Sequence, residues 1–137
     1  LTNEEYSKKL GDLWTSRGTR EYELDDIILL KIGRHLRPRP HFKLIIAREE
    51  GEGVFLEGYR RQYDSLMIQS HNGAFAIIDG EIRNEDDLQV AASLLARYSQ
   101  GRDSESVEYE YLQKTGAARL IAVKPISADD IPDSWHV

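Results

Sequence analysis

The chain has 137 residues, 18 Lys plus Arg against 24 Asp plus Glu, and a formal net charge of -6, which suits one domain burying roughly two-thirds of the surface its unfolded form exposes. Hydrophobic residues at 40% and charged residues at 31% argue against disorder. No apolar run approaches the ~18–20 residues of a membrane span, and the absence of cysteine removes thiol nucleophiles, thiolate metal sites and disulfides. A cytoplasmic location is expected.

Thr2-Asn3-Glu4-Glu5 fits a capping box, and Tyr6, Leu10, Leu13 and Trp14 follow at helical spacing, predicting an amphipathic helix over residues 2–17 that stops near Gly18. Ile27-Ile28-Leu29-Leu30 reads as a strand buried on both faces. From Lys31 the chain alternates. In an extended backbone Lys31, His35, Arg37, Arg39, His41 and Lys43 lie on one side, while Ile32, Leu36 and Phe42 lie on the other. Pro38 and Pro40 cannot donate to a ladder, so this parity is expected to break at an edge or exposed turn before a strand resumes over Phe42 to Ala47.

Glu49 to Arg61 suggests a loop leading into a short helix bearing Val54, Phe55 and Tyr59. Leu66–Ile68 and Phe75–Ile78 flank Ser70-His71-Asn72-Gly73, where Asn-Gly predicts a hairpin of two antiparallel strands. Asn84 caps a helix with Glu85, Asp86 and Asp87 in its first turn, where acids favour the positive end of the dipole. Leu88, Ala91, Ala92, Leu95 and Tyr98 mark its buried face, and Gly101 ends it. Val107–Tyr111 and Leu120–Val123 read as strands joined through a turn at Gly116, and the acidic tail from Ile126 as irregular. The expected architecture is a single α+β domain over 1–137, with a mainly antiparallel mixed sheet and two or three helices.

The search for chemistry is mostly negative. There is no phosphate-cradling P-loop, no Ser-Gly-Gly-x-Asp-Ser pyrophosphate loop and no Gly-x-Ser-x-Gly elbow. Zinc on His35, His41 and His71 is opposed by the neighbouring arginines and by the Pro-Arg-Pro interruption, and Ser70, His71 and Asp79 form a triad only in the sense that any chain permits one. No catalytic residue, metal or cofactor is therefore expected in these residues. The one departure from a mixed-charge surface is Lys31–Arg48, which holds six Lys or Arg, two His and no acid. Such a stretch is either a sheet edge protected from aggregation by charge or the footprint of a phosphate-bearing partner. The asymmetry extends further: residues 1–63 carry 12 basic and 11 acidic side chains, residues 64–137 carry 6 and 13.

The order of motifs supplies a resemblance. The helix with Lys8-Lys9-Leu10, then Leu30-Lys31-Ile32-Gly33-Arg34-His35 and Lys43-Leu44-Ile45-Ile46-Ala47-Arg48-Glu49-Glu50, resembles the C-terminal region of tRNA thiouridylase-related proteins, whose N-terminal pyrophosphate-loop ATPase is absent here. From Ala47-Arg48 through Ala91-Ala92, Tyr98-Ser99, Val107-x-Tyr109-x-Tyr111 and Ile121-x-Val123-x-Pro125 the chain is similar to an NFACT-R-type RNA-binding domain. The resemblance implies a non-catalytic module that binds RNA, a tRNA in the sense of the thiouridylase-related class, beside an upstream catalytic domain to which ATP and sulfur transfer belong. Together with the basic stretch it points to Lys31, Arg34, His35, Arg37, Arg39, His41, Lys43 and Arg48 as the RNA-binding residues; Lys31, Arg34, Arg37, Arg39, Lys43 and Arg48 are expected to form one exposed patch around a sheet edge, and His35 to stack on a base or donate to phosphate. The alternative is a docking module for the catalytic domain or a sulfur carrier.

Overall fold

A computed structural model describes residues 3–17, 24–72 and 74–137. The capping residue Thr2, the helix stop at Gly18 and the hairpin residue Gly73 lie outside them. The elements in chain order are α1 (Asn3–Arg17), α2 (Leu24–Leu29), β1 (Arg34–Arg39), β2 (Phe42–Ile46), α3 (Glu50–Glu57), β3 (Asp64–Ile68), β4 (Phe75–Gly80), α4 (Glu85–Arg97), β5 (Val107–Leu112) and β6 (Ala118–Val123), followed by two 3-10 turns at Ala128–Asp130 and Asp133–Trp135. The six strands form one sheet in the order β1-β2-β4-β3-β5-β6, and every pairing is antiparallel. The fold is α+β. Among the described residues no helix is long and apolar enough to cross a membrane.

Helix α4 forms where the sequence predicts it. The Asn84 side chain accepts a hydrogen bond from the Asp87 N–H at 2.8 Å, satisfying an orphan donor of the first turn. Leu88, Ala91, Ala92 and Leu95 then pack on Leu36, Phe42, Leu44 and Ile46 of β1 and β2 and on Tyr109 and Tyr111 of β5. Complete burial of each of these leucines is worth roughly 1.5–3 kcal/mol. The opposite face is covered only in part. Leu29 of α2 and Leu56 of α3 seal Ile45, Phe75 and Ile77, and Leu13 of α1 is buried, while Leu120 on β6 stays 70% exposed.

Residues 27–30 are not a strand: Leu24–Leu29 is a helix, which brings the helices among the described residues to four where two or three were expected. A four-residue aliphatic run fits a buried strand and a buried helix turn equally well by periodicity. Asp25 and Asp26 sit in the first turn, where the dipole favours them, and the helix presents the Leu29 side chain to one core and the Leu29 carbonyl to His35.

Candidate nucleic-acid interface

The predicted alternation along β1 and β2 is real, and it determines where the basic side chains go. Leu36, Phe42, Leu44 and Ile46 face α4. His35, Arg37 and Lys43 face the other way, and α1 and α2 lie over that side. The pairing runs Arg34 with Ile46, His35 with Ile45 and Leu36 with Leu44, then slips by one residue to Arg39 with Phe42. The bulge at Arg37-Pro38 therefore turns Arg39 toward α4 while Arg37 keeps its side.

Each half of the stretch meets acids from elsewhere in the chain. Arg37 forks onto Asp12 of α1, with Nε to Oδ1 at 2.8 Å and Nη2 to Oδ2 at 2.9 Å. Lys43, 2% exposed, lies 3.9 Å from the same carboxylate; burial pushes its pKa down against the opposing pull of Asp79 and Asp12. Arg39 lies 3.5 Å from Asp86 and 3.7 Å from Asp87. His41 Nε2 is 2.6 Å from Asp87 Oδ2. Burial pushes the Asp87 carboxyl up, and the hydrogen bonds from His41 and the Arg83 N–H outweigh it, leaving the group below its ordinary range.

His35 is internal. Its Nε2 lies 3.1 Å from the Leu29 carbonyl and 3.0 Å from that of Ile32, so Nε2 carries the proton and Nδ1 is left without a hydrogen-bond partner. Burial, followed by the fields of Lys43 and Lys9, lowers its pKa to about 3. A neutral ring with 2% exposure cannot stack on a base. The six expected Lys and Arg residues thus do not form one exposed patch: Lys43 is buried, and Arg37 and Arg39 are turned onto Asp12, Asp86 and Asp87. Of the two histidines, His35 is buried and His41 meets Asp87.

The remaining three gather at the other end of the hairpin. Lys31 and Arg34 are exposed, and with Lys9, Arg48, Glu5 and His136 they line a cleft of about 350 Å³. Lys31 Nζ lies 5.8 Å from the Tyr6 ring centre and the Arg34 guanidinium 4.7 Å from that of Tyr98, both cation–π distances. Arg48 forks onto Glu52 at 2.7 and 3.1 Å yet keeps 52% of its side chain exposed. Glu52 also accepts the backbone N–H groups of Arg48 at 2.9 Å and Gly33 at 3.1 Å; the Arg48 side-chain bonds lead in lowering its pKa to about 2. Gly33 has φ of 72°, and a Cβ there would lie 2.6 Å from the Ile46 carbonyl oxygen. The Gly33-Arg34-His35 motif is thereby explained: a backbone position only glycine fits, an exposed cation, and a buried clamp.

Sequence reasoning missed Glu52, Lys9, Asp12 and Tyr98 as parts of this region. Glu52 had a local signal, standing four residues after Arg48. Asp12 had none, because its meeting with Arg37 spans 25 residues. A second cleft, about 690 Å³, shares Arg48 with the first and includes Tyr98 and Phe75. A third, about 660 Å³, lies between α4 and the C-terminal segment and mixes Arg97, Arg102 and Lys124 with Asp86, Asp103 and Asp130, so it offers no cationic surface. Among the described residues no group of three His, Cys, Asp or Glu is gathered as a metal ion would need.

Comparison with known proteins bears on this arrangement. In structure the chain is similar to the C-terminal of the fibronectin/fibrinogen-binding protein from Streptococcus suis, with a TM-score of 0.62 at 14% identity, covering 100% of this chain and 63% of that one. At that identity the likeness concerns the fold alone. No curated protein matches the sequence. Residues 33–136 match the family described as NFACT protein RNA binding domain, a span from Gly33 through the sheet and α4 to the C-terminal turns, and the chain belongs to that family.

Proposed function

We propose that the chain is an RNA-binding module that holds phosphates on Lys31, Arg34 and Arg48 around the cleft at the open end of the β1–β2 hairpin. The observation that carries this reading is that, within a domain of an RNA-binding family, Lys31, Arg34 and Arg48 line one cleft with exposed side chains, Arg48 keeping half of its surface beside its partner Glu52, while the rest of the basic stretch is buried or turned onto acids of α1 and α4. Phosphate contacts position an RNA without reading its sequence. The Arg34 guanidinium, lying over the Tyr98 ring, presents a plane on which an unpaired base can stack.

The finer parts of the reading rest on the resemblance of Gly33-Arg34-His35 and Lys43–Glu50 to thiouridylase-related proteins. They are that the RNA is tRNA, that the module is an accessory to an upstream catalytic domain of a cytoplasmic tRNA-modifying protein, and that ATP-dependent sulfur transfer is performed by that domain. The test is fluorescence anisotropy with labelled bulk tRNA at low salt, alongside an unstructured RNA of equal length. Saturable binding of tRNA that is weakened by Arg34→Ala supports the reading. No binding of either RNA sinks it and favours docking onto protein instead.

A further inference from the structure

The two outer strands of the sheet are guarded very differently. Along β1 a bulge interrupts the ladder and Pro38 removes a donor. The C-terminal segment also covers that strand: Leu36 bridges His136, and the Val137 N–H donates to the His35 carbonyl at 3.2 Å. Bulges, prolines, charges and covering segments are the devices that stop a sheet edge from pairing with another chain. Among the described residues strand β6 has no bulge, proline or covering segment. Ala118–Val123 reads ARLIAV, without proline or lysine, and its one charge, Arg119, is forked onto Glu85 of α4 at 2.8 and 3.3 Å.

The register shows which backbone groups are spare. The Gln113 N–H donates to the Ala117 carbonyl at 2.8 Å, closing the β5–β6 hairpin, and the Glu108 carbonyl accepts from the Gln69 N–H at 2.8 Å on the side away from β6. Hydrogen-bonded and non-hydrogen-bonded pairs alternate in an antiparallel ladder. The β5–β6 bonds therefore fall on Tyr111 with Arg119, Tyr109 with Ile121 and Val107 with Val123. Ala118, Leu120 and Ala122 turn their N–H and C=O groups outward.

The side chains of these same three residues stand on the face away from α4, opposite Leu112, Glu110 and Glu108. Leu120 is 70% exposed there. Among the described residues neither Glu108 nor Glu110 has an ion-pair partner. The open edge is thus an apolar row backed by a row containing two uncompensated carboxylates.

We infer that the β6 edge is a docking site for an extended segment of a partner protein in which apolar residues alternate with Lys or Arg, added to the sheet as a seventh strand. Main-chain bonds to Ala118, Leu120 and Ala122 supply the affinity, and side chains at alternate positions supply the selection. A strand added beyond β6 lies two strand spacings from β5, roughly 10 Å, a gap that a Lys or Arg and a Glu reaching toward each other can close. RNA is refused by the carboxylates. A second copy pairing symmetrically along β6 brings its own Glu108 and Glu110 to the same face and no cation with them.

The inference is independent of the RNA reading and is tested separately. An acetylated eight-residue peptide of alternating Val and Lys is titrated into the isotopically labelled chain and followed by NMR. The expected result is amide shifts and slowed exchange centred on Ala118, Leu120 and Ala122. A peptide of alternating Val and Glu binds at least about tenfold more weakly, one tenfold being ~1.4 kcal/mol. Ala122→Pro removes an outward N–H without touching the β5–β6 bonds and weakens the Val-Lys peptide by about tenfold, the upper end of one hydrogen bond's net worth. As a control for any disturbance of the hairpin by proline, the paired variant Glu108→Gln and Glu110→Gln, which leaves the backbone alone, is measured too and loses the preference for lysine. Absence of shifts at about 1 mM peptide, shifts centred elsewhere, equal binding of the two peptides, or self-association through β6 in sedimentation would each overturn the proposal. Unchanged tRNA affinity in Glu108→Gln and Glu110→Gln keeps its outcome distinct from that of the RNA reading.

Discussion

His35 shows how far a residue's role depends on its surroundings. A histidine in a basic stretch suggests an RNA contact, but here it is a neutral donor to the Leu29 and Ile32 carbonyls. Its folded pKa of about 3 lies below the ordinary histidine value of 6.5, so between those values the unfolded chain binds a proton that the folded chain refuses. Its contribution to stability is therefore complete above pH 6.5 and falls as the solution is acidified toward about pH 3, by about 1.4 kcal/mol per pH unit well inside the window. Urea denaturation at pH 7 and pH 5 should show this loss in the natural chain and a smaller one in His35→Leu; equal losses would remove His35 as the cause. Gly33 makes a second residue-scale prediction. Its φ of 72° and the 2.6 Å approach to the Ile46 oxygen imply that Gly33→Ala lowers stability by about 1–3 kcal/mol, measurable in the same denaturation series.

At the scale of elements, the ion pair between Arg37 and Asp12 ties α1 to the sheet. Both side chains are 14% exposed, so Arg37→Ala should cost about 2–3 kcal/mol, the range for hydrogen bonds between charged groups away from full solvent, and should speed amide hydrogen exchange in α1 more than in α4. Uniform acceleration would contradict the tie. These elements also show what could be read in advance. Helix α4, the β3–β4 hairpin and the alternation of β1 and β2 were legible because their signals are local: a cap, a turn dipeptide, a period. Helix α2 was not, since Ile27–Leu30 is too short to carry a period. Nor could the alternation say which side faces solvent. That depends on α1 delivering Asp12 and on α4 delivering Asp86 and Asp87, contacts distant in sequence, and so six of the eight expected RNA-binding residues are buried or paired, the sixth being Arg48 through its local partner Glu52.

For the molecule as a whole, a net charge of -6 gives RNA little long-range attraction, so affinity must come from the local cations of the cleft and should be weak and salt-sensitive. With Lys31, Arg34 and Arg48 as phosphate contacts, and ~0.7–0.9 per contact, log affinity should fall against log salt with a slope of roughly -2 to -3. The most direct test is a salt-series titration of labelled tRNA with the natural chain, the double variant Lys31→Ala and Arg34→Ala, and Arg39→Ala. The account predicts that the double variant loses roughly 1.4–1.8 from the magnitude of the slope while Arg39→Ala keeps it. An unchanged slope in the double variant, or an equal loss in Arg39→Ala, would contradict it.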